Sequence, residues 1–414
     1  MISYNEEQLM MKEVFRDFME KELAPIQDDI EQNGVPPYDF MRKLYSQLGI
    51  GEMSAADCRA AIERDRAEER GETVEKKSGE TGEFSAKRAN ARAIQGILTG
   101  ELAKYGLGII TSWGVSVGLT YGAIMSKGTI AQKEKWALPL TTFEKVGAWA
   151  ITEPGSGSDA FGAMLSTATR TEDGGYLLKG NKTFITNGPY ADTIVFICKL
   201  KEEGVDPKDR KVLSFILDKG MPGLEQSKPF KKMGIMSSPT GELFLDNVKV
   251  GPDRLIGETE EVEARSGAKK TFTAERAGMA FSSLGIVEAC LERCVKYAQE
   301  RVQFGEPIGS HQLIQEKLAR MEVARVNLQN MVFQLIEYAG YGKELTLAEA
   351  SAMKLYSARI ATEVAMEAVQ LHGGNGYMAE YRVEQLARDA KIQQIYAGTD
   401  EIQIVAIARD LLSR

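Results

Sequence analysis

Apolar positions along the chain of 414 residues change their period twice. Up to about residue 145 they recur three and four apart. Leu9, Val14, Phe15 and Phe18 form one such set, and Leu98, Leu102 and Tyr105 another. This spacing predicts amphipathic helices. Near residue 147 the pattern becomes short β-rich runs: "GAWAITEPGSGSD", "GYLLKGNKTFITNG", "TIVFICKL", "KVLSFILD" and "GELFLDNVKVG". Gly, Pro and Asp-Gly signals separate them, as strands joined by turns require. Beyond Gly257 the helical period returns. Leu284, Val287, Leu291, Cys294 and Ala298 make one stripe of a helix ending before Gly305. Ser310 is placed to cap the next helix, and Thr346 with Glu349 forms a capping box for a third. A last helical run, Glu401 to Leu412, follows an "AGTD" turn. The prediction is an α+β protein in three parts. These are an N-terminal helical domain over 1–146, a central β-barrel-like domain over 147–257, and a C-terminal antiparallel four-helix bundle over 258–414.

One stretch breaks this order. Residues 55–92, within an insertion of about 51–95, mix both charge signs densely and hold almost no large apolar residues. Such a segment cannot form a core of its own. Its Ala, Glu and Arg favour helix. Glu63 and Arg66, three apart, support a helix, whereas the like pair Asp65 and Glu69, four apart, opposes one. The expectation is a polar, largely helical excursion along the N-terminal domain, either a solvated decoration without a role or a segment that restricts access to a ligand.

Composition narrows the function. A formal net charge of -8 disfavours nucleic-acid binding, which needs a basic footprint. No apolar run was expected to approach the roughly 20 residues of a membrane span. The acidic start "MISYNEEQLMMKEVF" lacks a basic and apolar leader, which points to the cytoplasm. The four cysteines, Cys58, Cys198, Cys290 and Cys294, include no CxxC pair, so core packing outranks a zinc or redox site. With only His311 and His372, a site of three histidines within one chain is excluded and a Ser-His-Asp triad is disfavoured.

Three segments carry candidate chemistry. In "WAITEPGSGSD", Trp149 to Asp159, a strand enters a Gly/Ser loop whose N–H groups and hydroxyls can cradle phosphate. In "KTFITNG", Lys182 to Gly188, Phe184 and Thr186 alternate on one strand face, suited to stacking on and bonding to a flat ring. The third segment pairs "ERVQFG" with "QLHGGNGY", where Arg301 can reach a phosphate and the glycines admit close approach. Each alone is as readily a plain turn, strand or helix cap. No G-x-G-x-x-G follows an N-terminal strand, so a Rossmann fold is disfavoured.

In this order and spacing, "ITEPGSGSD", "FITNG", "ERVQFG", "QLHGGNGY" and "RDAKIQQIYAGTDEIQ" resemble the acyl-CoA dehydrogenase family of flavoproteins. The resemblance implies FAD as cofactor, held by Trp149, Ile151, Thr152, Ser158, Phe184, Thr186, Thr399 and Glu401. It implies that Arg301, Gln303, Phe304, His311, Gln312, Gln370, Gly373 and Gly374 hold the adenine end of a neighbouring subunit's FAD. The assembly implied is a homo-oligomer, usually a dimer of dimers. Ser158, Thr273, Arg276, Gly398 and Arg409 would contact the acyl-CoA substrate. The reaction implied is α,β-dehydrogenation of the thioester. A carboxylate takes the α-proton, the β-hydrogen leaves as hydride to flavin N5, and the electrons pass to electron-transfer flavoprotein. Oxidase-like chemistry and a catalytically silent homologue are the competing readings.

The chain departs from the family at the base. Most members carry a Glu straight after the tyrosine of this turn, where here "IYAGTDEIQ" has Ala397. A subset that includes isovaleryl-CoA and long-chain acyl-CoA dehydrogenases carries the base just before the arginine opening the first long C-terminal helix. Here that motif reads "FTAER", and Arg276 precedes Arg301 by 25 positions (301 minus 276), the family's separation. Glu275 is therefore the expected base. Branched acyl groups fit the room freed at 397. Gly114 and Gly118 favour a deep pocket, and Trp113 would close it if it pointed inward.

Overall fold

The computed structural model describes residues 3–72, 83–261 and 264–413. Among the described residues, eight helices open the chain: α1 (Glu6–Glu22), α2 (Gln27–Glu31), α3 (Tyr38–Gln47), α4 (Ile50–Glu69), α5 (Ala86–Ala103), α6 (Leu107–Trp113), α7 (Tyr121–Lys127) and the single turn α8 (Ile130–Gln132). Asn5 and Gln8 form a capping box that starts α1. Phe15 and Phe18 of α1 enter the core with α3 and α5, while Leu9 and Val14 stay exposed on another face. The apolar set read along α1 thus spans two faces.

The polar excursion is helical where it is described. α4 carries the Glu63–Arg66 pair and docks on α7 and the turns after it. Cys58 and Ile62 are buried there, and Asp65 pairs with Lys133 at 2.7 Å. Residues 73–82 of the excursion lie outside the described residues.

Helix α6 runs through a wider π-wound stretch, Gly114–Thr120, into α7. Leu107–Lys127 is thereby one apolar run of 21 residues with mean hydropathy 1.4, long enough by length and composition to cross a membrane. The sequence reading missed it because Gly, Ser and Thr punctuate the run. Those small polar residues serve packing. Ser112, Ser116 and Thr120 form its buried side, and Ser116 accepts a hydrogen bond from Gly147 N at 2.9 Å. A Cβ at Gly147 would sit 2.8 Å from Thr120, so glycine lets helix and sheet touch.

Seven strands form one sheet: β1 (Gly147–Ala150), β2 (Thr167–Arg170), β3 (Tyr176–Thr186), β4 (Thr193–Leu200), β5 (Val212–Asp218), β6 (Leu224–Gln226) and β7 (Thr240–Val250). The order is β1-β4-β2-β3-β7-β6, with β5 also pairing β4. β1 and β2 lie parallel to successive parts of β4, while β3, β5, β6 and β7 pair antiparallel. All eight residues of β4 are buried, as a continuous apolar run requires. The ladder of β3 with β7 shifts register between Lys182 and Ile185, and Phe184 there has φ 56°. A bulge at a strand end re-aims side chains, and Phe184 points outward while Ile185 enters the core.

Long helices close the chain: α9 (Ala264–Glu300), α10 (Gln312–Gly340), α11 (Leu347–His372), α12 (Val383–Ile392) and α13 (Asp400–Ser413). A small hairpin, β8 (Val302–Gln303) with β9 (Glu306–Pro307), joins α9 to α10. The stripe Leu284, Val287, Cys294 and Ala298 is buried against α10 and α11, and Cys290 and Cys294 are free core cysteines. α5 crosses α9 so closely that a Cβ on Gly285 would meet Gly100 O at 2.2 Å. Thr346 and Glu349 make the expected capping box of α11. Ser310 does not cap α10. A 3₁₀ turn takes Ile308–Ser310, and His311 holds the N-cap position without a side-chain bond.

Candidate active site

The sheet delivers the first part of the site. β1 ends at Ala150, and the chain then passes Ile151 and Thr152 into the Gly/Ser loop. Thr183 N donates to Thr152 O at 2.9 Å. Lys182 Nζ donates to Ile151 O at 2.9 Å and to Glu153 Oε1 at 2.8 Å, its side chain wholly buried. Glu153 also accepts from Leu165 N and Ser166 N. Burial alone would raise the Glu153 pKa; Lys182 and these N–H donors outweigh it and hold the carboxyl below its ordinary value. A buried ion pair needs such added hydrogen bonds to stand. This pin sets Trp149–Thr152 beside Thr183–Thr186. Beyond it, Gly155 and Gly157 have open space where a Cβ would sit, and Ser158 is exposed. The Trp149 ring meets Phe272 of α9 edge-on, with centroids 5.9 Å apart.

Three residues past Phe272 lies Glu275. Its carboxyl is walled by protein, although part of the residue remains accessible. Burial is the largest influence on it, with the charges of Arg276 and Lys354 opposing, and its pKa stands at about 7. Arg276 donates through Nε to Ala397 O at 3.3 Å and through Nη1 to Ser351 Oγ at 3.0 Å. It is buried. The "AGTD" turn is thus tied to the helix turn that carries Glu275. Tyr396 stands beside both, bonded to Thr111 of α6; burial raises its pKa, and the Glu275 charge adds to the rise. Thr111 brings α6 to the same place.

Ala397 has φ 53° and Gly398 φ 88°. Two successive left-handed residues make a sharp turn that is strained at the alanine. Gln403 Nε2 holds it by donating to Ala397 O at 3.1 Å and Gly398 O at 2.7 Å. Lys354 Nζ donates to Gly398 O at 2.9 Å. Asp400 is buried and shared by Lys354 and Arg359, at 3.5 and 2.9 Å. First-turn charge against the α13 dipole is thus only part of its role. Glu401 is exposed, and its own backbone N–H and then the Thr399 hydroxyl pull its carboxyl down. Glu275 and Glu401 thus shift in opposite directions, the first raised to neutrality and the second lowered. Trp113 turns away from Thr111, bonds Tyr45 OH and packs in the N-terminal core. Open space surrounds the would-be Cβ positions of Gly114 and Gly118.

A second cluster sits at the far end of α9. Arg301 follows α9, and Gln303 and Phe304 lie in the exposed hairpin, where Phe304 is 97% exposed. Ile308 N donates to Arg301 O, which folds His311 and Gln312 back toward this end. The buried His311 Nε2 has no partner among the described residues. His372 is buried, stacks on Tyr297 with centroids 4.3 Å apart and bonds Ala368 O. Gln370, Gly373 and Gly374 are exposed beside it. Glu275 and Arg301 are 26 residues apart (301 minus 275) along α9. At a rise of about 1.5 Å per residue that is roughly 39 Å, far beyond the reach of one dinucleotide.

The missed residues are Lys354, Ser351, Gln403 and Thr111. Lys354 had a signal. It falls on the α11 stripe Ala350, Ser351, Ser357, Ala358 and Ala361, all small and buried, where a charge needs a partner.

A helical, sheet and helical-bundle architecture, with a near-neutral carboxylate between a Gly/Ser loop and a strained turn, defines a flavoprotein dehydrogenase scaffold. The chain belongs to the acyl-CoA dehydrogenase family. It matches that family's N-terminal domain over residues 5–57, middle domain over 148–248 and C-terminal domain over 266–412. It is 37% identical to the short-chain specific acyl-CoA dehydrogenase of Megasphaera elsdenii, over 96% of this chain and 95% of that one. It is 32% identical to the caffeyl-CoA reductase-Etf complex subunit CarC of Acetobacterium woodii, over 99% and 100%. The solved butyryl-CoA dehydrogenase of Megasphaera elsdenii superposes with TM-score 0.82 at 33% identity, covering both chains fully. The protein is an oxidoreductase of this family with FAD as cofactor. The site fits that group. Open glycines in the Gly/Ser loop, the hydroxyls of Thr152 and Thr186 and the Trp149 edge suit a flavin and phosphates.

Proposed function

We propose that this enzyme dehydrogenates an acyl-CoA thioester between its α and β carbons, with Glu275 as base. The observation that carries the reading is Glu275 itself, a carboxyl with pKa about 7 tied through Arg276 to a turn that has Ala397. A base works best with its pKa near the working pH. Bound FAD supplies the acceptor for the β-hydrogen. Trp149, Ile151, Thr152, Ser158, Phe184, Thr186, Thr399 and Glu401 hold its flavin half. Glu275 takes the α-proton on a carboxylate oxygen, and N–H groups of the 397–399 turn face the thioester oxygen as charge develops there. Ser158, Thr273, Gly398 and Arg409 contact the acyl-CoA. Arg276 holds the turn through Ala397 O and Ser351 Oγ, and its other N–H groups serve the substrate. Arg301, Gln303, Phe304, His311, Gln312, Gln370, Gly373 and Gly374 bind the FAD of a neighbouring copy. The roughly 39 Å between the clusters supports that reading, since one chain's cofactor cannot bridge it. Kinship with an Etf-complex subunit supports electron-transfer flavoprotein as the acceptor. The absence of a side chain beyond Cβ at 397 and the turning away of Trp113 favour branched or bulky acyl groups. Anaerobic bleaching of bound FAD across straight and branched acyl-CoAs tests this. Bleaching by none of them sinks the reading, and peroxide formed in air makes the enzyme an oxidase.

A further inference from the structure

Lys354 is a buried ammonium in the middle of α11, its side chain fully enclosed. A buried cation is costly unless paired. Its described partners are Gly398 O at 2.9 Å and Asp400 Oδ1 at 3.5 Å. Asp400 is already held by Arg359 at 2.9 Å, so Lys354 is only half neutralised. Its remaining charge faces Arg276 and Glu275 from α9 and Glu401 from α13. Burial lowers the pKa of Lys354, and Asp400 is the largest influence raising it.

The geometry of the turn adds a second observation. In a trans peptide, N–H and C=O point opposite ways. Arg276 and Gln403 draw Ala397 O to one side, and Lys354 and Gln403 draw Gly398 O to the same set of donors. The N–H groups of Gly398 and Thr399 therefore turn to the other side. Among the described residues, the N–H groups of Ala397, Gly398 and Thr399 meet no acceptor. A strained turn persists only when its surroundings over-determine it. Here the surroundings are an amide and two buried cations.

We propose that Lys354 is a positioning residue for the reaction: it fixes the turn whose N–H groups face the thioester, and it supplies part of the positive field around Glu275. The inference rests on the reading of Glu275 as base. Lys354 touches neither substrate nor cofactor and acts through Gly398 O and through space.

The test compares Lys354→Met, Lys354→Arg and Asp400→Asn in the FAD-loaded enzyme. The rate of anaerobic FAD reduction by an accepted acyl-CoA is followed from pH 5 to 9, with FAD content and melting temperature recorded for each variant. Lys354→Met should slow the limiting rate about tenfold to a hundredfold, at or below the roughly 10²–10³ of removing an aligned donor outright, since the N–H groups remain. It should also move the midpoint of the pH profile upward, because a charge that favours ionised Glu275 is gone. Lys354→Arg should return the midpoint to the wild-type value. Asp400→Asn should move it downward, a change of sign that a purely structural role does not produce. A Lys354→Met midpoint equal to wild type overturns the proposal. If that variant does not fold, an Asp400→Asn midpoint that fails to fall overturns it. Glu275→Gln serves as the control. If it reduces FAD at the wild-type rate, the base assignment fails; if it is dead while the midpoints stay fixed, only the role of Lys354 fails.

Discussion

The two ends of α9 differ in kind. At the Glu275 end the side chains that shape the turn are bonded from within the chain. Arg276 holds Ala397 and Ser351, Lys354 holds Gly398, and Tyr396 bonds Thr111. At the Arg301 end Gln303, Phe304, Gln312, Gln370, Gly373 and Gly374 are exposed, and His311 Nε2 is buried without a partner among the described residues. One end shifts a carboxyl to neutrality by enclosing it. The other presents donors, an aromatic ring and open glycines outward. Enclosure tunes acid–base strength, whereas an outward array gains its partners only from a ligand or a second molecule. On the proposed reading, a single folded chain completes the acid–base apparatus, and a neighbouring copy would complete the cofactor site.

The sharpest way to break this comparison is Glu275→Gln, which keeps the shape and removes the proton acceptor. Its FAD reduction by acyl-CoA should fall by about 10² to 10⁴, the usual contribution of a positioned base, with FAD content unchanged. Reduction at the wild-type rate would place the base elsewhere. Adding Ala397→Glu to that variant should recover activity, preferentially on straight chains. At the other end, Arg301→Ala removes a charge-assisted contact, worth about 1.5–3 kcal/mol. FAD affinity should then drop by roughly tenfold to a hundredfold, read by titrating the apoprotein. An unchanged affinity would show that the Arg301 end holds no cofactor.

How much of this was legible beforehand follows the same division. Motifs that are contiguous in sequence, such as the Gly/Ser loop and the "AGTD" turn, could be read directly. Glu275 became a candidate base through the family resemblance, its neighbour Arg276 standing at the family's separation from Arg301. What could not be read is whatever comes from distant elements. Lys354, Ser351 and Gln403 converge on the turn from α11 and α13 only after folding. Leu9 and Val14 show the same limit in the core. Their helical spacing was real, but which face is covered depends on what packs there. Leu107–Lys127 escaped notice because Ser112, Ser116 and Thr120 look polar in sequence and prove to be the buried side.

Enclosure at the Glu275 end also carries a stability signature. The carboxyl pKa rises from 4.5 unfolded to about 7 folded. The folded state then binds more protons between these values, so stability is present in full below about pH 4.5 and is lost as pH rises through 7. Glu275→Gln escapes that loss. Relative to wild type it should gain about 1–2 kcal/mol between pH 5 and pH 8, the full shift being discounted because part of the residue is accessible. Denaturant titration at the two values measures it. An equal difference at both would mean that Glu275 is not held neutral by burial.

The smallest effect belongs to α4, which contrasts with both ends of α9. Its polar face pairs outward, with Asp65 on Lys133 at 2.7 Å and Glu63 on Arg66, while Cys58 and Ile62 are buried beneath. The Asp65 side chain is 39% exposed, and pairs of this kind contribute about 0.2–1 kcal/mol. Asp65→Ala should therefore lower stability by a few tenths of a kcal/mol. The buried apolar contacts hold the helix in place, so the variant keeps α4 docked. If α4 is only a cover on α7, the acyl-CoA preference of Asp65→Ala matches wild type across chain lengths. If it gates the pocket, loosening its charged edge changes that preference while FAD content stays full. Deleting residues 55–92 with a short Gly/Ser bridge repeats the comparison at full strength, and an unchanged acyl profile there leaves α4 without a gating role.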